Sequence, residues 1–269
     1  MPRPDLPPEA ISKYTPTFQF PKTLLLPIFR SLTRMQDRGW IPAARLKQHV
    51  VICGFPRSGS TLLQLMLETS FNGIRTYGRE RRALEVAVCG KRTHHAVITK
   101  RPKDVFLIPE IRDFYASHEA NVRFILLCRD PRDVLTSFHF SRPGEYFVST
   151  SAWWHIYQHW NWACRSSDVL SLRYEHLITD PDEVESSVCN FTGWQSQQRF
   201  RQFHEFVPAT FDGRALNGLR PLDPDNRNRW RNDEYRNRIR TVLTELPELP
   251  RVLIDLGYET DDTWTHEYC

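Results

Sequence analysis

The sequence predicts a three-layer α/β fold built around a mainly parallel central sheet. Two observations carry that expectation. The short apolar runs "HVVICGF", "VRFILLC" and "DVLSLRY" lack polar alternation, as do strands covered on both faces. Each is followed by a segment with helical spacing or a helix-start pattern, so strands and helices alternate along the chain.

Taken in order, residues 1–20 are rich in Pro and polar residues and read as an N-terminal arm. Residues 21–269 then form a single domain, long enough for a full core. "KTLLLPIFRSLTRM" is mildly amphipathic but interrupted by Pro27, and reads as a packing arm rather than a membrane-surface helix. After the first strand, "STLLQLMLETS" sets Leu62, Leu65, Met66 and Thr69 on one helical face. "HAVITK" is a weaker strand, and "VFLIPEIRDFYASH" behind it is helical in pattern. "DPRDVLTSFHF" opens with Asp130 as N-cap and Pro131 at the first helical position, which puts Ser137 two turns into a helix. "DPDEVESSVCNFTGW" repeats the pattern with Asp180 and Pro181. The aromatic segment from Arg142 to Arg165, with Trp153, Trp154, Trp160 and Trp162, reads as a helix packed by large side chains rather than as an acceptor pocket. Residues 212–234 are polar, basic and rich in turn formers, the composition of a long lid-like loop.

Charge and composition narrow the function. Lys+Arg of 36 against Asp+Glu of 32 gives a net charge of +4, too mild to point to nucleic acid, so anion binding must be local. The Arg-rich "RNRWRNDEYRNRIR" interleaves acids and reads as a mixed-charge helix. No apolar run reaches the length of a membrane span, and "MPRPDLPPEA" has no apolar signal core, so a cytoplasmic protein is expected. The cysteines at 53, 89, 128, 164, 189 and 269 have no C-x-x-C spacing and read as buried free thiols. No metal constellation is visible, and His94–His95 reads as a surface pair.

The chemistry begins at Gly54–Thr61, "GFPRSGST", which reads G-x-x-x-x-G-S-T. This is nearly the phosphate loop of nucleoside triphosphatases, and the fold is accordingly P-loop NTPase-like. The lysine that reaches the β- and γ-phosphates is replaced by Ser60, which argues against a triphosphate. A buried strand, a glycine turn and a helix still present backbone N–H groups to an anion. Arg57 supplies charge, and Ser58, Ser60 and Thr61 add hydroxyls. A second anion site follows the next long strand, where Arg129 and Ser137 could share a phosphate.

"FPRSGSTLL", "FILLCRDPRDVLTSF" and "LSLRYEHLITDP", in that order, resemble the sulfotransferases that use 3′-phosphoadenosine-5′-phosphosulfate (PAPS). The tail "RWRNDEY…LIDLGYE" is similar to the family's C-terminal segment. The resemblance implies that Arg57, Ser58, Gly59, Ser60 and Thr61 surround the 5′-phosphosulfate. It also implies that Arg129 and Ser137 hold the 3′-phosphate and that Tyr174 lines the adenine pocket. Arg227, Arg229 and Trp230 resemble the loop that closes on the 3′-phosphate, with Asn228 where the family usually has Gly. PAPS carries phosphate-bearing groups at both ends of its ribose, which suits two anion sites.

Sulfuryl transfer is in-line with a loose transition state, so positioning and charge stabilisation dominate. Lys100 in "ITKRP" resembles the family's second cation. Many cytosolic members have a His base after that Lys; "KRPKD" has none. "YGRERRAL" is closer to the Gly-Glu-Glu-x-Arg segment of tyrosylprotein sulfotransferases and bacterial relatives. By that similarity Glu80 is the base and Arg82 a supporting cation, with His94, His95 and Asp104 as fallback bases. The expected activity is transfer of a sulfuryl group from PAPS to a hydroxyl, or an amine, releasing the adenosine bisphosphate PAP, with no metal required. The acceptor could be a glycan, lipid, peptide or secondary metabolite. A P-loop kinase of small molecules and a non-catalytic PAP-binding module are the alternatives.

Overall fold

The computed structural model of the chain describes residues 2–7, 22–90, 92–139, 141–206 and 218–268. Most of the N-terminal arm, the start of the 212–234 loop and Cys269 lie outside the described residues.

Five strands form one parallel sheet: β1 (Gln48–Gly54), β2 (Ile74–Arg75), β3 (Ala96–Lys100), β4 (Asn121–Cys128) and β5 (Val169–Arg173), in the order β2-β3-β1-β4-β5. The four longer strands are those the apolar runs mark. The two-residue β2 is too short to leave a periodic pattern. Every residue of β1 is buried, as is β4 from Phe124 onward. Alternate residues of a strand point to opposite faces. Val51, Cys53, Phe124 and Leu126 therefore meet one core, and Val50, Ile52, Ile125 and Leu127 the other.

The helices are α1 (Lys22–Asp37), α2 (Ser60–Ser70), α3 (Ala83–Cys89), α4 (Ile108–Ala116), α5 (Pro131–Leu135), α6 (Thr150–Ala163), α7 (Tyr174–Thr179), α8 (Pro181–Thr192), α9 (Arg236–Glu245) and α10 (Leu249–Asp255). Residues of α3, α4, α6, α9 and α10 cover the first core. Residues of α2, α7 and α8 cover the second. These are the three expected layers.

Three local expectations are corrected. Helix α2 buries Leu63 and Leu67 as well as Leu62, Leu65 and Met66, because it is wedged into the core rather than laid on it. Helix α5 is a short turn-like piece. Asp130 caps it through the Arg132 N–H at 2.9 Å, worth about 1 kcal/mol, but it ends at Leu135, so Ser137 lies beyond it. There the Thr136 and Ser137 hydroxyls donate to carbonyls of the preceding turn, and Phe147 N–H bonds Ser137 O. Helix α8 opens on Pro181 without a side-chain cap, since the Asp180 carboxylate accepts from the Thr179 hydroxyl instead. Helix α1 packs along one side only: Thr33 is buried and donates to Val88 O at 2.8 Å, while Leu25, Ile28 and Leu32 face solvent.

The aromatic segment behaves as packing. Trp153 and Trp160 are buried, and Trp153 stacks on Phe55 with ring centroids 5.2 Å apart. Of the described cysteines, Cys53 and Cys128 are buried, Cys164 and Cys189 half-buried, and Cys89 is exposed, contrary to expectation.

From β1 the chain builds first toward β2 and β3, then crosses to β4 and β5 on the other side. Open α/β sheets bind ligands at the carboxyl ends of strands where the order reverses in this way. The Gly54–Thr61 loop, Lys100, Arg129 and Tyr174 all stand at that end.

Candidate active site

The loop after β1 owes its shape to residues without side chains. Gly54 has φ 120°, and a Cβ there would lie 2.5 Å from Leu127 O. Gly59 has φ 85°, and a Cβ there would lie 2.5 Å from Tyr174 Cδ2. Arg57 holds φ 64°, a left-handed conformation uncommon outside glycine and a form of strain often stored at binding loops. Ser58 is buried and donates to Phe55 O at 2.6 Å, so its hydroxyl shapes the loop rather than facing a ligand. Ser60 and Thr61 open α2, whose first N–H groups have no intrahelical acceptor. Thr61 Oγ1 accepts from Lys100 Nζ at 3.0 Å, tying the loop to the end of β3.

Three guanidinium groups converge on this loop. Arg57 lies 5.7 Å from the Phe147 ring centroid and has no carboxylate partner among the described residues. Its pKa is lowered first by desolvation, then by the charges of Arg129 and Arg229. Like charges held this close are unfavourable until an anion joins them. Arg129, following β4, donates through Nη2 to Asp133 Oδ2 at 3.1 Å and Asn226 O at 3.3 Å, and lies 4.3 Å above the Tyr174 ring. Its Nε is buried without a protein partner.

The segment around Asn226 folds onto these groups. Asn226 Nδ2 donates to Tyr174 OH at 2.7 Å, and Trp230 N–H donates to Asp133 Oδ1 at 3.0 Å. Asn228 has φ 56°, so the departure from Gly is conservative: Asn is enriched in the left-handed region. Arg227 and Arg229 are exposed. Trp230 is 2% exposed, with Arg132 3.8 Å above its ring and Trp264 at 5.7 Å. The expectation that Trp230 touches the ligand is therefore corrected: it anchors the segment in the core. Ser137 donates to Asp133 O at 2.8 Å, so its hydroxyl proton is directed at the backbone.

On the β3 side, Lys100 is 9% exposed rather than a free surface lysine. Burial lowers its pKa, and the charge of Glu80 raises it in part, which puts Glu80 within electrostatic reach. Arg81 N–H donates to Lys100 O at 3.3 Å and holds the Gly78–Arg82 segment beside the strand end. Glu80 is exposed, and Arg82 is half-buried just before α3. Asp104 is fully buried, accepts from Ala83 N–H at 2.8 Å and pairs with Arg101 at 3.3 Å. Burial pushes its carboxyl up to about 6 despite those partners. It is a buried anchor for α3, which corrects its place among the fallback bases. His94 and His95 precede β3, at the opposite end of the sheet from the loop, and are corrected likewise: His94 lies 2.8 Å from Thr93 Oγ1 and His95 2.8 Å from Arg45 O.

The family model described as the sulfotransferase domain matches residues 47–207, more than half of the chain. This chain belongs to the sulfotransferase family. Among curated proteins none matches significantly in sequence. Among solved structures, the sulfotransferase domain of the Synechococcus PCC 7002 olefin synthase is 20% identical, with a TM-score of 0.55 over 71% of this chain and 90% of that one. A mouse sulfotransferase, SULT7A1, crystallised with PAP, is 14% identical, with a TM-score of 0.47 over 81% of this chain and 90% of that one. The enzyme is a PAPS-dependent sulfotransferase, and the kinase and binding-module alternatives give way to that membership. Its residues fit such a donor. Arg57 has no carboxylate partner among the described residues, Arg129 keeps a buried N–H without a protein partner there, and Gly59 leaves no side chain between the loop and Tyr174.

Two residues of the sulfotransferase site escape a sequence reading. Asp133 joins Arg129 to the Trp230 backbone; its i+4 spacing from Arg129 is the one available sign. Asn226 leaves none, since its contacts to Tyr174 and Arg129 cross the fold.

Proposed function

We propose that the sulfotransferase divides its crevice into a donor half on the β1–β4–β5 side and an acceptor half on the β3 side. In the donor half, Arg57 and the backbone of Ser58, Gly59, Ser60 and Thr61 would hold the phosphosulfate. Arg129, with Ser137 and the exposed Arg227 and Arg229, would hold the 3′-phosphate, and Tyr174 would lie against the adenine. The observation that carries this reading is the convergence of Arg57, Arg129 and Arg229 beside one glycine loop. The donor supplies the sulfuryl group and a leaving phosphate oxygen whose negative charge grows during transfer.

The protein's part is positioning and charge. Arg57, within the loop, and Lys100, bonded to Thr61 at its end, are the cations that stabilise developing negative charge. The Glu80 carboxylate takes the acceptor's proton, and Arg82 supports the anionic form of that side of the site. Lys100 lies close enough to Glu80 for the carboxylate's charge to act on the ammonium. Family members act on hydroxyl-bearing acceptors in general. For this chain we assign a hydroxyl ahead of an amine; glycan, lipid, peptide and secondary-metabolite hydroxyls all match the chemistry. The free buried thiols of Cys53 and Cys128 support the cytoplasm as its compartment. Residues 21–269 are assigned to one catalytic domain.

The test is Glu80→Gln. PAP affinity by calorimetry should be unchanged, while turnover on any accepted hydroxyl falls at least about 10-fold, the low side of a lost general base. Retained turnover removes Glu80 from the mechanism.

A further inference from the structure

Three donor-half residues come from separate parts of the chain: Arg129 after β4, Tyr174 at the start of α7 and Arg229 in the segment near Asn226. Their immediate successors, Asp130, Glu175 and Trp230, are tied together. Asp130 N–H donates to Glu175 Oε1 at 2.9 Å. Arg132, 1% exposed, forks onto the Asp130 carboxylate through Nε at 3.0 Å and Nη2 at 2.8 Å. The same guanidinium lies 3.8 Å from the Trp230 ring centroid and 4.7 Å from that of Trp264.

The C-terminal segment completes the set. Tyr258 OH donates to Glu175 Oε2 at 3.0 Å, and Glu259 accepts from Arg132 Nη1. Trp264 meets Trp230 edge to face beside Arg132. The segment is itself fastened to α9, where Arg240 Nε donates to Tyr268 O at 3.0 Å and Arg236 to Glu267 O. A guanidinium this deeply buried is costly unless its donors are met, and here Nε, Nη1 and Nη2 all reach carboxylates. Apolar side chains of similar volume often stabilise a core as well as a buried ionic network does, so stability alone does not account for this one. What the network adds is fixed geometry at three points of the chain, each one residue from a donor-binding group.

We propose that Arg132, Tyr258, Glu259 and Trp264 are positioning residues for donor binding. Through Asp130, Glu175 and Trp230 they set where Arg129, Tyr174 and Arg229 stand. The proposal rests on the donor-half reading above. These residues act through the chain neighbours of the binding groups, not on the donor itself.

The experiment is calorimetric titration of PAP into the full chain and its variants, below every melting transition. Glu259→Gln should weaken PAP about 5- to 10-fold, the order of one hydrogen bond to a charged group. Tyr258→Phe keeps the ring that Arg173 lies over at 4.0 Å and loses only the hydroxyl, so a loss of about 3-fold is expected. Trp264→Ala should lose about 10-fold, and Trp264→Phe should recover most of it, because a ring again faces the guanidinium. Ile111→Val, buried in α4, shows what lost stability does by itself: a lower melting temperature with PAP affinity unchanged. Unaltered affinity in Glu259→Gln and Tyr258→Phe, with lowered melting temperatures, overturns the proposal and makes the segment purely structural. Weakening by Ile111→Val to the same degree also overturns it, because affinity then follows stability. Arg129→Ala in the same series separates the two readings. If it alone loses affinity, the positioning role fails and the donor half stands; if it keeps full affinity, the donor half fails and the proposal with it.

Discussion

On the β4–β5 side of the crevice, Arg129 is held by Asp133 and Asn226 O and lies over Tyr174, while Tyr174 is itself bonded to Asn226. On the β3 side, Glu80 stands exposed on a segment secured through the Arg81 N–H to Lys100 O. The first region is preorganised: its cations are oriented before any anion arrives, so little ordering is left for the binding step. The second holds a buried cation, Lys100, and leaves the Glu80 carboxylate exposed. A donor common to a whole family and an acceptor that varies within it would demand this division.

The comparison breaks most completely at Gly59. Gly59→Ala puts a methyl group 2.5 Å from the Tyr174 ring at a φ of 85°. The left-handed conformation alone costs about 1–2 kcal/mol, and the steric conflict adds to it. PAP affinity by calorimetry should fall at least about 100-fold, whereas changes confined to the Glu80 segment should leave it intact.

A smaller effect is expected at Asn228. Asn228→Gly keeps φ 56° without strain and should bind PAP as well as the unaltered enzyme. Asn228→Val places a β-branched residue there and should cost about 1–2 kcal/mol of stability by denaturant unfolding, with PAP binding several-fold weaker as Arg229 is displaced. Equal behaviour of the two variants would mean that this segment does not close the donor half.

The smallest effect concerns pH. Asp104 anchors the start of α3 next to the Glu80 segment, and its carboxyl is raised from 3.8 to about 6, mainly by burial. The folded protein thus holds a proton that the unfolded chain has released. This contribution to stability is complete below the unfolded value and is lost as pH rises through about 6. Unfolding followed between those limits should show a falling component that Asp104→Asn removes. His49, fully buried at the other end of the sheet, runs the opposite way. Its imidazole is lowered to about 3, chiefly by burial, so its contribution is lost as pH falls from 6.5 toward that value. A Asp104→Asn protein with an unchanged profile would remove Asp104 from this account.

The two halves also differ in how far they could be read from residues alone. Strand positions were legible because β1, β3 and β4 are buried on both faces, which forces continuous apolar runs. That Arg57, Gly59 and Arg129 stand at strand ends was legible from the strands that precede them, while Tyr174 was named only by the family resemblance. Ser137 was misplaced because local hydroxyl-to-carbonyl bonds shortened α5, a competition that helix-start residues do not reveal. Trp230 was assigned to the ligand because position in a motif says nothing of burial; Arg132, Trp264 and Tyr268 enclose it from distant parts of the chain. Lys100 reads as a strand-end cation in either setting, and its bond to Thr61 depends on the pairing of β1 with β3.

The division of the crevice is tested most directly by titrating PAP calorimetrically into the Arg129→Ala protein. Loss of charge-assisted hydrogen bonds worth about 1.5–3 kcal/mol should weaken PAP by roughly 10- to 100-fold. An affinity equal to that of the unaltered enzyme would contradict the assignment of Arg129, and with it the donor half.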